Sequence, residues 1–218
     1  MTSPSGGRPI PAAAGADEAW RVTLDALMRG VAHGISNRVG TLGALAEALA
    51  AADPTGPFPP ILAEEVHRLE EALRVLRLLP RDEGRGVEPL RPVDAAADAA
   101  ALFEQHPRGR GTRAAVSERG DVPPIRAHVP SLVHALALLM VAAAGEAGAP
   151  VSITLAGEGG RVQFRVARAG SGADLGDVDG AIAAASALVR GDGGSVARDD
   201  DGSLVLSLPS LAAVRGRP

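Results

Sequence analysis

Cysteine, lysine and tyrosine are all missing from this 218-residue sequence, which has one tryptophan, three phenylalanines and, at Asn37, a single asparagine. The lack of thiols excludes disulfides, cysteine nucleophiles and thiolate metal sites, and leaves the redox compartment open. With aromatics at only 2%, helices packed through small side chains and leucine are favoured over an aromatic-rich sandwich. All 22 basic residues are arginines, set against 26 acids for a formal charge of −4. That balance excludes non-specific nucleic-acid binding, which needs a basic stripe and stacking aromatics. The Arg108, Arg110 and Arg113 cluster, set among glycines, reads as a solvated turn. No apolar run approaches the roughly 20 residues that cross a bilayer. The longest, Leu132 to Ala144 with His134 inside it, reads as a buried core helix. Met1 to Gly15 lacks the basic start and apolar run of a secretory signal, so a cytoplasmic protein with no membrane partner is expected.

Hydrophobic residues make up 46% of the chain, enough for one large domain or two small ones with apolar cores. From Asp17 to Ala51, apolar residues recur at Leu24, Met28, Val31, Ile35, Val39, Leu42, Leu45 and Leu49, the spacing of a long amphipathic helix. The proline-rich stretch Asp53 to Pro60 breaks it. A second helix follows with the seam Leu62, Val66, Leu69, Leu73 and Leu76, ending at Pro80. Two such helices form an antiparallel hairpin, and because one hairpin cannot bury both seams, a homodimeric four-helix bundle is expected. Trp20 is expected to anchor the start of that bundle.

Beyond a linker at 81–92 the pattern changes. Helices are predicted at Asp94 to Gln105, Ser131 to Glu146 and Asp179 to Arg190. Strands are predicted at Thr112 to Ser117, Pro124 to Ala127, Val151 to Leu155, Val162 to Ala167, Ser195 to Ala197 and Leu204 to Leu208. The fold class is therefore α+β: a disordered 1–16, a helical hairpin over 17–80, the linker, a sandwich of helices on one face of a mostly antiparallel sheet over 93–211, and a tail at 212–218.

On the first helix, His33 lies about 160–200° from both Val31 and Ile35 at 100° per residue, so it faces away from that seam. Arg29 and Asn37 stand one turn either side and complete a stripe of guanidinium, imidazole and carboxamide. Gly30 and Gly34 flank His33 inside the helix, where each glycine costs about 1 kcal/mol relative to alanine. Such a cost points to a close approach, either of a partner carrying a phosphoryl group or of another helix. The other histidines are weaker candidates. His67 flanks the second seam, His106 sits at a helix end where a cation suits the dipole, His128 lies in a loop and His134 in the core. No pair has metal-ligand spacing, so no metal site is expected.

Val31 to Val39, Val-Ala-His-Gly-Ile-Ser-Asn-Arg-Val, resembles the H-box of two-component sensor histidine kinases. His33, Ile35, Asn37 and Val39 match it. Gly34 replaces the acid that follows the histidine and Arg38 replaces the proline. The resemblance runs from Asp17 to Leu211 and includes an ending, Gly193-Gly194-Ser195-Val196 through Leu206-Ser207-Leu208-Pro209, similar to that of the kinase GHKL (Bergerat-like) ATP-binding domain.

The departures from the kinases carry the function that the resemblance implies. Asparagines that would hold Mg-ATP are replaced near Leu138 and Ala142, and the aspartate that reads adenine is replaced in Arg168-Ala169-Gly170-Ser171-Gly172. A guanidinium has donors only, whereas the exocyclic amine of adenine needs an acceptor. Gly170 and Gly172 survive as turn residues in a degenerate nucleotide site, and the lid shrinks to Asp174 to Gly180. Gly34 removes the general base used in attack on ATP. What remains resembles the ChpT-like histidine phosphotransferases, pseudo-kinases with no cofactor of their own. The resemblance implies that His33 accepts a phosphoryl group from a receiver-domain aspartate, whose Mg ion the receiver supplies, and passes it to another response regulator, with Asn37 and Arg29 assisting. A hybrid sensor kinase is a further implied partner. The alternatives are a non-catalytic dimeric scaffold for a response regulator or sensor kinase, and a phosphatase in which Asn37 orients water. On the residues alone, whether the chain is an enzyme stays open.

Overall fold

Two hydrophobic periods in the sequence, near 3.6 and at 2, become two layers in the computed structural model. The structure describes residues 11–51, 62, 64–67, 69–70, 73, 86–145, 149–168 and 178–215. Helix α1 (Pro11–Ala51) is one continuous rod. The described positions of the next helix, 62, 64–67, 69, 70 and 73, are all helical and are taken together as α2. The proline-rich breaker, Leu76 and Pro80 lie outside the described residues.

The second part of the chain runs β1 (Glu88–Leu90), α3 (Pro92–Gln105), β2 (Ala115–Arg119), β3 (Ile125–Ala127), α4 (Val129–Ala144), β4 (Val151–Glu158), β5 (Arg161–Arg168), α5 (Val178–Val189), β6 (Ser195–Arg198), β7 (Leu204–Pro209) and α6 (Leu211–Arg215). A five-stranded mixed sheet has the order β2-β4-β5-β7-β6, with β2 parallel to β4 and every other pair antiparallel. A second, two-stranded sheet pairs β1 with β3. The hairpin joining β4 to β5 turns on Gly159 and Gly160, at φ +56° and +75°, the pair of left-handed residues that a tight two-residue turn demands.

Strict alternation puts Val151, Ile153, Leu155, Val162, Phe164, Val166, Leu204, Leu206 and Leu208 on one buried face of the sheet. Helices α3 and α4 pack on that side. Every residue of α4 from Leu132 to Ala144 is buried, because the sheet covers one side of it while α3, α5 and α1 cover the rest. The α+β architecture is as expected from the sequence, with several corrections. The strand predicted at Thr112 to Ser117 starts three residues later, because Thr112 is held in a turn by its N–H and Oγ1 bonds to the Gly109 carbonyl. The stretch assigned as linker contains β1, and the tail begins with α6.

The largest correction concerns α1. The seam predicted through Leu24, Met28, Val31, Ile35 and Val39 is only partly covered within the chain: Val31 is buried and Leu24 and Ile35 pack against the core, while Met28 and Val39 are 45% and 56% exposed. Thr23, Ala26, Leu27, Gly30 and Val31 are the buried set, at the i, i+3, i+4, i+7, i+8 spacing of one helix face. This face lies on α5 and α3. Small side chains let helix axes approach closely: α1 buries Ala26 and Gly30, and α5 buries Ala181, Ala184 and Ala185. Reading only the large apolar residues left out Thr23, Ala26 and Gly30. Trp20 likewise anchors α1 to the sandwich rather than to a bundle: its ring lies 4.8 Å from that of His134, beside Leu138 and Ala184.

Candidate functional site

His33 stands exposed in mid-helix, just past the point where the docked stripe of α1 ends at Val31. The Nδ2 of Asn37, one turn further on, is 3.1 Å from the His33 Nε2. An amide nitrogen can only donate, so in this arrangement Nε2 accepts and the ring proton sits on Nδ1. The lone pair of a neutral imidazole is thereby placed on Nε2, the outer ring nitrogen. Asn37 and Arg29 are both exposed, and Arg29 lies on the same face of α1 one turn before His33. The structure joins Asn37 to His33, while Arg29 shares their side of α1 through helical spacing.

Arg38, which stands where the H-box has proline, makes an interhelical contact. Its guanidinium donates to Glu65 of α2 at 3.2 Å. Glu65 is 6% exposed, so this pair ties α1 to α2 through a buried carboxylate. Glu65 was not singled out in the sequence, although its phase gives it away. It lies three residues after Leu62 and four before Leu69, so an acid falls on the apolar seam, where it needs a cationic partner.

The two glycines beside His33 have different roles. A Cβ on Gly30 would lie 1.8 Å from the carbonyl oxygen of Gln105, the last residue of α3, whereas one on Gly34 would lie 3.6 Å from the Gln105 Oε1. Gly30 is therefore a contact point between α1 and the end of α3, and the helix-packing reading of the pair holds there. Gln105 is a residue that sequence reasoning missed. The signal for it was the glycine pair itself, since an i, i+4 pair in a helix marks a row along which another backbone can run.

The remaining histidines have structural surroundings. His106 is buried, and burial, with the nearby Arg108 guanidinium, lowers its pKa from 6.5 to about 4. It is neutral, and its Nδ1 accepts the Arg108 backbone N–H at 3.1 Å. This corrects the expectation of a cation at the helix end, because desolvation outweighs the dipole. His128 precedes α4, with Nδ1 2.8 Å from the Ser131 Oγ. His67 is exposed, 3.9 Å from Glu70. Of the arginine cluster, Arg110 and Arg113 are exposed as expected, while Arg108 donates to the Val141 carbonyl at 3.4 Å.

At the positions that the resemblance assigns to nucleotide, Leu138 and Ala142 are 1% and 4% exposed. Leu138 packs with Ala184 of α5 and with Trp20. Arg168 ends β5, paired with Val151. Gly170, Gly172 and all but the last three residues of the lid lie outside the described residues. An open groove of about 370 Å³ is lined by Glu158, Gln163, Arg165, Arg198 and Asp199, away from the His33 stripe. One of its two arginines, Arg165, is committed to Asp199 and Asp201. Among the described residues no cluster of His, Asp or Glu is disposed to hold a metal ion, and no helix is long and apolar enough to cross a membrane.

No protein-family model and no curated protein matches the chain. Among solved structures, a bacterial phosphotransferase is similar at 13% identity over 94% of this chain and 99% of its own, with a TM-score of 0.44. Histidine kinase ThkA in complex with response regulator protein TrrA is similar at 13% identity, 96% and 70% coverage and a TM-score of 0.43. The ATP-binding domain of PrrB from Mycobacterium tuberculosis is similar at 20% identity, 58% and 98% coverage and a TM-score of 0.42.

Proposed function

We propose that this chain is a histidine phosphotransferase of a two-component phosphorelay, a cytoplasmic homodimer that carries a phosphoryl group on His33 without using a nucleotide. The observation that carries this reading is the exposed His33 imidazole, whose Nε2 is the ring nitrogen that meets the Asn37 amide. In the proposed transfer, Nε2 attacks the phosphorus of a receiver aspartyl phosphate. The Nε2–P bond forms, the acyl O–P bond breaks, and aspartate leaves as its carboxylate. Arg29 offsets charge on the phosphoryl oxygens, and Asn37, released from Nε2, donates to one of them. Mg belongs to the receiver. Passage to a second response regulator reverses the same step.

Two further features support the proposal. Leu138 and Ala142 are covered by apolar neighbours, which offers no polar group to a metal–triphosphate. Val39, Val66 and Leu73 leave an exposed apolar surface on the hairpin, the kind that a second copy would cover. Light scattering is expected to give about twice the 22.0 kDa chain mass; a stable monomer would count against the bundle.

The deciding experiment incubates the protein with a receiver domain labelled on its aspartyl phosphate. An acid-labile, base-stable adduct should form on the wild type and be missing from His33→Ala. If no adduct forms while receiver dephosphorylation is accelerated in a manner that survives His33→Ala and fails in Asn37→Ala, the protein is a phosphatase. If neither occurs but the receiver is bound, it is a scaffold.

A further inference from the structure

Gln105 runs along α1 from Gly30 to Gly34, with its carbonyl oxygen over the first glycine and its Oε1 over the second. His33 and Asn37 each follow one of these glycines by three residues, which places them on the neighbouring row, about 60° around the helix. The imidazole–carboxamide pair of α1 and the carboxamide of α3 therefore occupy adjoining strips of one surface. Gln105 is half-buried, and among the described residues its carboxamide is in no hydrogen bond. A primary amide with two unused donors, held by its own backbone against Gly30, is chemically matched to an oxygen of a phosphoryl group.

We propose that Gln105 is a phosphoryl-positioning residue for the group carried on His33, so that the sandwich supplies one wall of the site. This rests on the reading of His33 as the acceptor. Once the Nε2–P bond forms, the lone pair that Asn37 donated to is consumed. The Asn37 Nδ2–H and the Gln105 Nε2–H then each take a non-bridging phosphoryl oxygen and restrain rotation about the N–P bond.

The test uses the full chain and potassium phosphoramidate, so that no partner protein is needed. Nε2 attacks phosphorus, the P–N bond of the reagent breaks, ammonia leaves, and the Nδ1 proton passes to water. Loading is followed by intact mass, and the adduct by its ³¹P chemical shift. Gln105→Ala is expected to slow loading about 5–20-fold, the worth of one hydrogen bond to a charged group at a half-exposed site, and to move the ³¹P resonance. Gln105→Glu packs like glutamine but presents a carboxylate to the phosphoryl oxygens, so it should load more slowly than Gln105→Ala. Trp20 fluorescence checks that α1 stays docked in each variant. Equal loading of all three proteins on His33, or restoration of the wild-type rate by Gln105→Glu, would overturn the role of Gln105 and leave the carrier reading standing. Failure of the wild type to load His33 at all would remove the carrier reading and this inference with it.

Discussion

Replacing Gly30 with alanine sets helix propensity against packing, and the two effects have opposite signs. In an exposed helix interior the change stabilises by about 1 kcal/mol. Here the added Cβ would lie 1.8 Å from the Gln105 carbonyl oxygen and 2.9 Å from its carbon. Both atoms belong to the backbone, so no rotamer change relieves the overlap. Ordinary C···O contacts begin near 3.3 Å, so α1 and α3 must separate by about 1.5 Å. Gaps of 0.5–1 Å already forfeit a quarter to a half of the dispersion energy across a packed surface. The ceiling is complete undocking of the stripe, which exposes Leu27 and Val31 at about 1.5–3 kcal/mol each. After the propensity gain is subtracted, a net loss of about 2–4 kcal/mol is expected, or roughly 5–15 °C in Tm for a chain of this size.

Urea unfolding followed by fluorescence reads this, because Trp20 is the sole tryptophan and its ring lies against His134 of α4, where the same helix α1 docks on the sandwich. Gly34→Ala is the control. Its Cβ meets the Gln105 Oε1 at 3.6 Å, an ordinary contact with the end of a flexible side chain, so the propensity gain should survive. A Gly30→Ala midpoint at or above the wild type, or two variants that behave alike, would refute the docking of α1 on α3.

Two further predictions concern ionisable groups. Arg38→Ala removes the guanidinium that pairs with the buried Glu65 carboxylate. Arg38 itself is partly solvated, so a loss of about 1–3 kcal/mol is expected, relieved in the double variant that also carries Glu65→Gln and measured by a double-mutant cycle. His106 titrates near 4 when folded and near 6.5 when unfolded, so the unfolded chain binds more protons between those values. Its contribution is complete above pH 6.5 and declines as pH falls to 4, by on the order of 3 kcal/mol, and His106→Asn should flatten that slope in urea titrations.

The sandwich was legible because its signals are local. Alternation in β4, β5 and β7 and the unbroken apolar run of α4 each follow from one segment's own burial. His33 is exposed as expected, though for another reason: it stands only about 60° from the row of Gly30 and is free because the buried stripe ends before it. What the sequence hid depends on a second segment. The buried face of α1 is built from Thr23, Ala26 and Gly30 as much as from Leu27, and such residues are recognisable as contacts only once α5 and α3 lie against the helix. Arg38 reads as an anomaly until Glu65 is placed opposite it. Gln105 carries no motif, and its significance arises from the Cβ that Gly30 lacks. His106 was misjudged because a helix end predicts charge, while burial, which no local pattern reports, neutralises it.

The docking of α1 also bears on the source of the phosphoryl group in the proposed function. The surface of α4 and α5 around Leu138 and Ala184, next to the positions that the resemblance assigns to nucleotide, is covered by Trp20 of the helix that carries His33. Opening that surface to deliver a phosphate within the chain would require α1 to leave it. Leu27 and Val31 alone make that departure cost about 3–6 kcal/mol, before the Trp20 stack is counted. At 3–6 kcal/mol the undocked population would be roughly 1% or less. His33, by contrast, is accessible while α1 stays docked, because it projects from the first turn beyond the buried stripe. Under the proposed function, a phosphoryl group brought by another protein would meet an imidazole already in place, so the packing that would hinder a kinase leaves the proposed carrier unimpeded.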